Sequence, residues 1–562
     1  MTIRTSTLLR RLERLVPVYE GGSAAKKRQL LLDLAKRRFA DAETLLRFHE
    51  SLCFLRAYPD DRETLEVVER LLAGFRRRGD LRRHRENLVD TGIAGTPIEY
   101  SFYWATARWL ARRWAGNLSI NWAEFEGADT FEQLLPLLTT HSETPALDEM
   151  GYAAREWVAR LKAPGESDAA FLIRLYERIS ADDFWQERLF ESLETPIRIS
   201  PGPDTPSRTL ARYPIKPFHF QKRTLSRVRP DLAKAVGRPP ERVRPFPPGE
   251  GGKTIDLARE AMVTRSRDLD VFANADRRDV RLVDCGGGLQ FACNGVLPER
   301  RLLLESVYGF LTLKNGVPIG YVLASALFNS SEIAYNVFET FRGAEAGYVY
   351  GRVLSMIHHL FGSDSFSIDP YQLGHENEEG LASGAWWFYY KFGFRPQDPQ
   401  VRRVAREELR RMKADPRHRS SRATLKRLVV APLFWHLRNE RTDVLGRFPL
   451  SKIGLRISDY LARRFGGKRK DGLTTCSTEA AELLGLRSMR GFSSGERLAW
   501  RRWSPLILIL PGVAEWSGQE RRDLVRVVRA KGGRRESDFV AKFDRHRKLR
   551  RALITLAKRR SS

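Results

Sequence analysis

The sequence predicts an α+β protein: a central mixed sheet with flanking helices, preceded by an all-α N-terminal domain and followed by a basic, mainly helical C-terminal region. Three observations predict it. Apolar residues recur at helical spacing through the first 195 residues. Strand-like runs joined by an Asn-Gly turn lie among helices between 253 and 400. Nearly all of the net positive charge falls beyond residue 400. A chain of 562 residues is too long for one core, and two to four domains are expected.

The first segment opens with MTIRTSTLLRRLERLVP, amphipathic and arginine-rich. Glu13 interrupts it and no small-residue cleavage site follows, so the first helix of a folded domain is expected rather than a transit peptide. DRETLEVVERLLAGF places Leu65, Val68, Leu71, Leu72 and Phe75 on one face. Similar stretches continue to about 195, with no repeat at a fixed period. Residues 196–252 are rich in Pro and Gly and predict a linker, with a short helix near 224–236.

Between 253 and 400 the order reads helix, antiparallel strands, helix, strand, helix. KTIDLAREAMVTRSRDLDVF is the first helix, and Asn315-Gly316 between LLLESVYGFLTL and VPIGYVLASALF signals a hairpin. EIAYNVFETF is read as a further strand, AGYVYGRVLSMIHHLF as a helix ending at Gly362, and SFSIDPYQL as a strand. Then comes GLASGAWWFYYKFGF, a helix aromatic on nearly every side, which predicts burial on nearly every side. Farther on, LILIL (506–510), bounded by Pro505 and Pro511, is read as a buried strand.

Composition narrows the chemistry. Cys53, Cys285, Cys293 and Cys476 show no paired spacing, which argues against a disulfide framework or a zinc site and for a reducing compartment. No run approaches the roughly 20 apolar residues of a membrane span. A cytoplasmic protein without a metal is expected. GEGGKT (249–254) approaches a phosphate loop, but Pro247 stands where the motif needs its first glycine and no buried strand leads in. CGGGLQ (285–290) reads as a bulged strand, and His358-His359, lacking an acidic partner at helical spacing, as structural.

One junction is more specific. The strand EIAYNVFETF runs through FRGAEAG into a helix, and amides at a helix N-terminus beside small residues suit phosphate oxygens, with Arg342 adding a positive charge. Together with the ending Tyr389-Tyr390-Lys391-Phe392-Gly393-Phe394, residues 253–400 resemble the GNAT superfamily of N-acetyltransferases. The resemblance implies that Arg342, Gly343, Ala344, Ala346 and Gly347 cradle the diphosphate of acetyl-CoA or another acyl-CoA. It implies that backbone groups of Val337 and Phe338 hold the thioester and pantetheine, and that Tyr389 protonates the leaving thiolate. Two positions depart from the family pattern. Glu345 replaces the first loop glycine, and the Asn expected six or seven residues before the tyrosine is Ser383, with Asn377 twelve before.

An amine acceptor needs a carboxylate to take its proton. Glu332 and Glu339 lie on one strand at an odd separation, hence on opposite faces if the strand is regular; the resemblance favours Glu332. The expected activity is acyl transfer from acyl-CoA to an unidentified amine by direct attack. Two alternatives stay open: a catalytically inactive scaffold of the same fold, and an aminoacyl-tRNA-dependent transferase on a related fold.

The tail is the remaining signal. Residues 401–562 hold 42 Lys+Arg and 16 Asp+Glu, against 55 and 53 in the first 400, so +26 of the net +28 lies there. A nucleic-acid backbone is the natural partner. The basic helix near the end, with Leu549, Ala552, Leu553 and Leu556 on one face, would also suit an anionic membrane or another acidic partner, and a solvated domain with no fixed partner is the third possibility.

Overall fold

Alternating apolar residues from Ala275 onward build long strands that pair with their sequence neighbours. The computed structural model describes residues 4–179, 183–226 and 228–559. Its central sheet has nine strands: β1 (Arg242–Pro245), β2 (Ala275–Asp284), β3 (Leu289–Val296), β4 (Ser306–Lys314), β5 (Val317–Leu327), β6 (Ser330–Val337), β7 (Ser365–Ile368), β8 (Arg395–Pro396) and β9 (Leu433–His436). Their order is β8-β9-β7-β6-β5-β4-β3-β2-β1. Strands β6 and β7 run parallel, and the other neighbours are antiparallel. The fold is α+β, as the sequence predicts.

Local chemistry explains the connections. Asn315 and Gly316 take φ of 48° and 79° between β4 and β5, the backbone that a two-residue hairpin requires. CGGGLQ is a turn between β2 and β3 rather than a bulged strand, because three successive glycines adopt positive φ. The glycines of GEGGKT lie inside helix α1 (Pro248–Val263). A Cβ on Gly251 would sit 2.5 Å from the Arg277 carbonyl, so glycine lets α1 lie close on β2.

Each sheet face has its own cover. Helix α2 (Ala346–Phe361) packs on Phe310, Val322 and Ile333, and the same core includes Trp500, Trp503, Phe539 and Leu553 of the C-terminal helices. The opposite face, with Leu311, Ile319 and Tyr321, is covered by α1 and by helices between Thr5 and Gly74. Residues Ile98–Ile199 form a separate core around Trp104, Phe171 and Tyr176. They also supply a small antiparallel sheet from Ile98–Tyr100, Leu118–Ile120 and Ile197–Ile199.

Several expectations are corrected. Residues 1–195 are not one all-α domain, since the early helices belong to the core of the central sheet. The 196–252 segment is a packed strap rather than a free linker. Its Thr209 hydroxyl bonds His49 Nε2 at 2.8 Å, its short helix is Leu232–Gly237, and it contributes β1. The sheet does not end at 400, because β9 enters from the basic region. LILIL lies largely in a helix, Ser494–Ile509, that contains Pro505. Leu549, Leu553 and Leu556 are buried against neighbouring helices, so the apolar face of the terminal helix is already covered.

A buried ion pair joins two C-terminal helices, and its lysine also reaches the backbone at the start of β4. Lys531 Nζ donates to Glu536 at 2.5 Å and to the Glu305 carbonyl at 2.6 Å. Lys531→Met would leave the Glu536 carboxylate buried, with Arg301 3.9 Å away. A loss of about 3–5 kcal/mol is expected in urea denaturation.

Candidate active site

The site begins where a strand stops. β7 is followed by Asp369-Pro370; proline cannot donate to a ladder, and Asp369 accepts from the Tyr371 amide at 2.8 Å, turning the chain into Pro370–Leu373. Only Ser365, Phe366 and Ser367 pair with β6, opposite Ser330, Ser331 and Glu332. The closed end is clamped by Arg441, which donates to the Asn329 carbonyl at 3.0 Å and to Asp364 at 2.7 Å. Beyond Glu332 the two strands part.

The far side of β6 stays paired with β5. The Phe338 amide donates to the Ile319 carbonyl at 2.9 Å, so strand alternation turns the amides of Tyr335 and Val337 toward the gap. Of the two expected backbone contributors, Val337 faces the gap and Phe338 does not. The Phe338 ring instead packs in the N-terminal core, 3.6 Å from the Arg265 guanidinium.

A cavity of about 710 Å³ fills the fork. One wall is Ala334–Val337 with Tyr321 and Leu323 of β5. The second comes from helices α3 (Glu378–Ser383) and α4 (Ala385–Lys391), separated by Gly384 at φ 67°. The aromatic stretch is thus entered through a break rather than as one continuous helix. Asn377 caps α3 by accepting from the Gly380 amide at 3.1 Å. Trp386, Trp387 and Tyr389 are buried, and the Tyr350 ring of α2 packs 5.5 Å from those of Tyr389 and Phe392.

Tyr389 lines the cavity, and among the described residues its hydroxyl has no hydrogen-bond partner. Burial raises its pKa far above that of a free phenol, so it stays a proton donor. Tyr390 points away, stacking on Trp386 at 4.9 Å, as the helical angle requires.

The loop before α2 contributes unevenly. Arg342, Gly343 and Ala346 line the cavity. Ala344 is buried in the N-terminal core, and a Cβ on Gly347 would lie 3.2 Å from the Phe392 ring, so neither reaches it. Glu345 pairs with the buried Lys314 at 2.9 Å and is not part of the lining. At the mouth, Glu379 accepts from Arg342 and, at 3.1 Å, from Arg267. Burial would raise the Glu379 carboxyl, but the Arg342 hydrogen bond and the Arg267 charge hold it below the usual range.

The two expected bases separate. Glu332 stands on the same strand face as Ala334, roughly 7 Å along the strand from that cavity residue. Burial first, then the charges of Asp369 and Glu305, push its pKa up to about 7. Glu339 lies outside the strand, which ends at Val337; it is exposed in a single 3-10 turn, Glu339–Phe341. Strand parity does not relate Glu332 to Glu339, because the regular strand stops at Val337 rather than reaching Phe341.

Asn336 and Asp268 are among the further polar residues that line the cavity. Asn336, directly opposite Tyr321, has a buried Oδ1 with no hydrogen-bond partner among the described residues. The alternation that marks Glu332 also marks Asn336, so the sequence carried that signal. Asp268 accepts from the Tyr103 amide at 2.9 Å and from Thr106 Oγ1 at 2.7 Å, and burial pushes its pKa to about 7. Its partners lie more than 160 positions away in sequence, beyond any local signal.

Compared with known proteins, the chain matches no family model, no curated relative and no solved structure at a significant level.

The Glu332 carboxyl binds its proton more tightly in the folded chain than in the unfolded one, where its ordinary value is 4.5. Its contribution to stability is therefore full below about 4.5 and is lost as pH rises through about 7. Glu332→Gln should gain melting temperature relative to wild type between pH 5 and 8; an unchanged difference in thermal scans would show that Glu332 is not held near neutrality.

Proposed function

We propose that the protein moves an acetyl or other acyl group from acyl-CoA to an amine by direct attack, in the manner of a GNAT-type N-acyltransferase. The observation that carries this reading is the forked strand pair, with unpaired amides of β6 on one side and the Tyr389 hydroxyl on the other. A thioester carbonyl in the fork accepts from the Val337 amide, which stabilises the oxyanion as the amine nitrogen attacks. The carbon–sulfur bond then breaks and Tyr389 gives its proton to the departing sulfur. Glu332, set back from the cavity, takes the ammonium proton through water. The Arg342, Gly343 and Ala346 stretch serves the diphosphate, with Arg342 released from Glu379 as the anion arrives.

The first test is isothermal titration with acetyl-CoA. Absence of binding at millimolar ligand would discard the enzyme reading. Tyr389→Phe should lower the release of free CoA thiol at least tenfold while CoA affinity is kept; unchanged turnover would remove Tyr389 from the reaction.

The Glu379 contact favours a second reading, in which the mouth stays closed and the fold serves as a scaffold. Glu379→Gln separates the two. Titration should show severalfold tighter CoA binding if the carboxylate merely competes with the diphosphate, and none if the fold alone has been kept.

A further inference from the structure

Part of the charge excess of the C-terminal region lies in a helical hairpin beside the cavity. Residues 398–427 hold eleven Lys and Arg against four Asp and Glu. They form helix α5 (Pro399–Ala414) and helix α6 (Arg422–Leu428). At 100° per residue, Arg402, Lys413, Arg406, Arg410 and Arg403 fall within an arc of about 100° on α5. All five are exposed, and among the described residues none has a carboxylate partner. The opposite face of α5 is fixed: Val401, Val404 and Ala405 are buried, and buried Glu408 accepts from Ser420 Oγ at 2.6 Å and pairs with His418 at 3.0 Å. The cationic stripe is therefore held rigidly outward.

A solvated face does not need this arrangement. Arg402, Arg406 and Arg410 follow one another at i, i+4 spacing, where like charges repel. Arg417, Arg419, Lys426 and Arg427 continue the exposed positive surface around the hairpin. The hairpin also adjoins the cavity. Ser420 accepts from Trp387 Nε1 at 3.0 Å, and Arg422 pairs with Glu378 of α3, the helix whose Glu379, Gly380 and Ser383 line the mouth.

We infer that the α5–α6 hairpin docks the phosphate backbone of a nucleic-acid duplex, laying it against the entrance of the cavity. Three features select this partner. From Arg402 to Lys413 the stripe spans about 17 Å, along which a duplex presents roughly ten phosphates. No Phe, Tyr or Trp occurs between 398 and 427, and the one imidazole, His418, is tied to Glu408, so the stacking platform that single strands need is missing. The apolar face of α5 is buried in the protein, which leaves it no face to insert into lipid. The inference stands independently of acyl transfer, since it concerns binding alone.

Fluorescence anisotropy with the full-length protein tests it, using labelled RNA and DNA duplexes of one sequence, the RNA single strand, and co-sedimentation with phosphatidylglycerol vesicles. One or both duplexes should bind more tightly than the single strand, and the two arms tell RNA from DNA. The quadruple variant R403Q/R406Q/R410Q/K413Q should bind the duplex at least tenfold more weakly. It should also flatten the log–log salt dependence by roughly 3 to 4, with an unchanged melting temperature. The control variant R545Q/R547Q/R551Q/K558Q, equal in charge change but on another surface, should stay within twofold of wild type. Equal losses in both variants, absence of duplex binding at low salt, or vesicle binding in place of duplex binding would each overturn the proposal.

Discussion

The architecture depends on an interruption in hydrogen bonding. β7 is only four residues long, and β6, twice that length, loses its partner after Glu332. Backbone amides inside a protein cost free energy when they stay unpaired, and this stretch lies in the middle of a nine-stranded sheet rather than at an edge. The molecule resolves the conflict by keeping the gap open, with aromatic rings as the wall. Helix α4 cannot close over β6 because Tyr335, Tyr350, Phe388 and Tyr389 already fill the space behind it. The Arg441 clamp fixes where the parting starts.

Charge around the gap is arranged by burial and pairing together. Glu345, at the start of α2, is neutralised by Lys314 on the side turned from the cavity. At the mouth two guanidiniums share one carboxylate, which leaves an excess positive charge facing the opening. Deeper in, the apolar surroundings raise Glu332 and Asp268 toward neutrality and keep Tyr389 protonated. The cavity therefore has a positively charged rim, with Asp268 and Tyr389 in its lining and Glu332 one strand step behind Ala334, all three with raised pKa values.

What the sequence disclosed was local. The Asn315-Gly316 turn, the apolar stripe of α2 ending at Gly362, and the succession of strands and helices from 253 to 400 each rest on neighbouring residues. The aromatic stretch announced its burial, although the Gly384 break was hidden by good helix formers on both sides. Longer-range matters were out of reach. Three-residue strands at Ile98, Leu118 and Ile197 carry no period, and β9 pairs with strands 37 or more residues distant. LILIL misled because a continuous apolar run has the same look in a buried helix and a buried strand. Tyr389, Arg342 and Val337, which motif order singles out, all line the cavity. Phe338 does not, because its amide turns to the Ile319 carbonyl of β5, and Glu339 does not, because the strand ends at Val337.

The seating of β9 between β7 and β8 also bears on how the chain is made. A nascent polypeptide that has emerged only as far as residue 400 would carry the whole cavity lining yet expose the outer edge of β7, with β8 unpartnered. Open edges of that kind recruit foreign strands. Completion of the sheet around the fork must wait for Leu433–His436 to leave the ribosome, which makes the basic region a late component of the half that holds the cavity rather than an appendage to it.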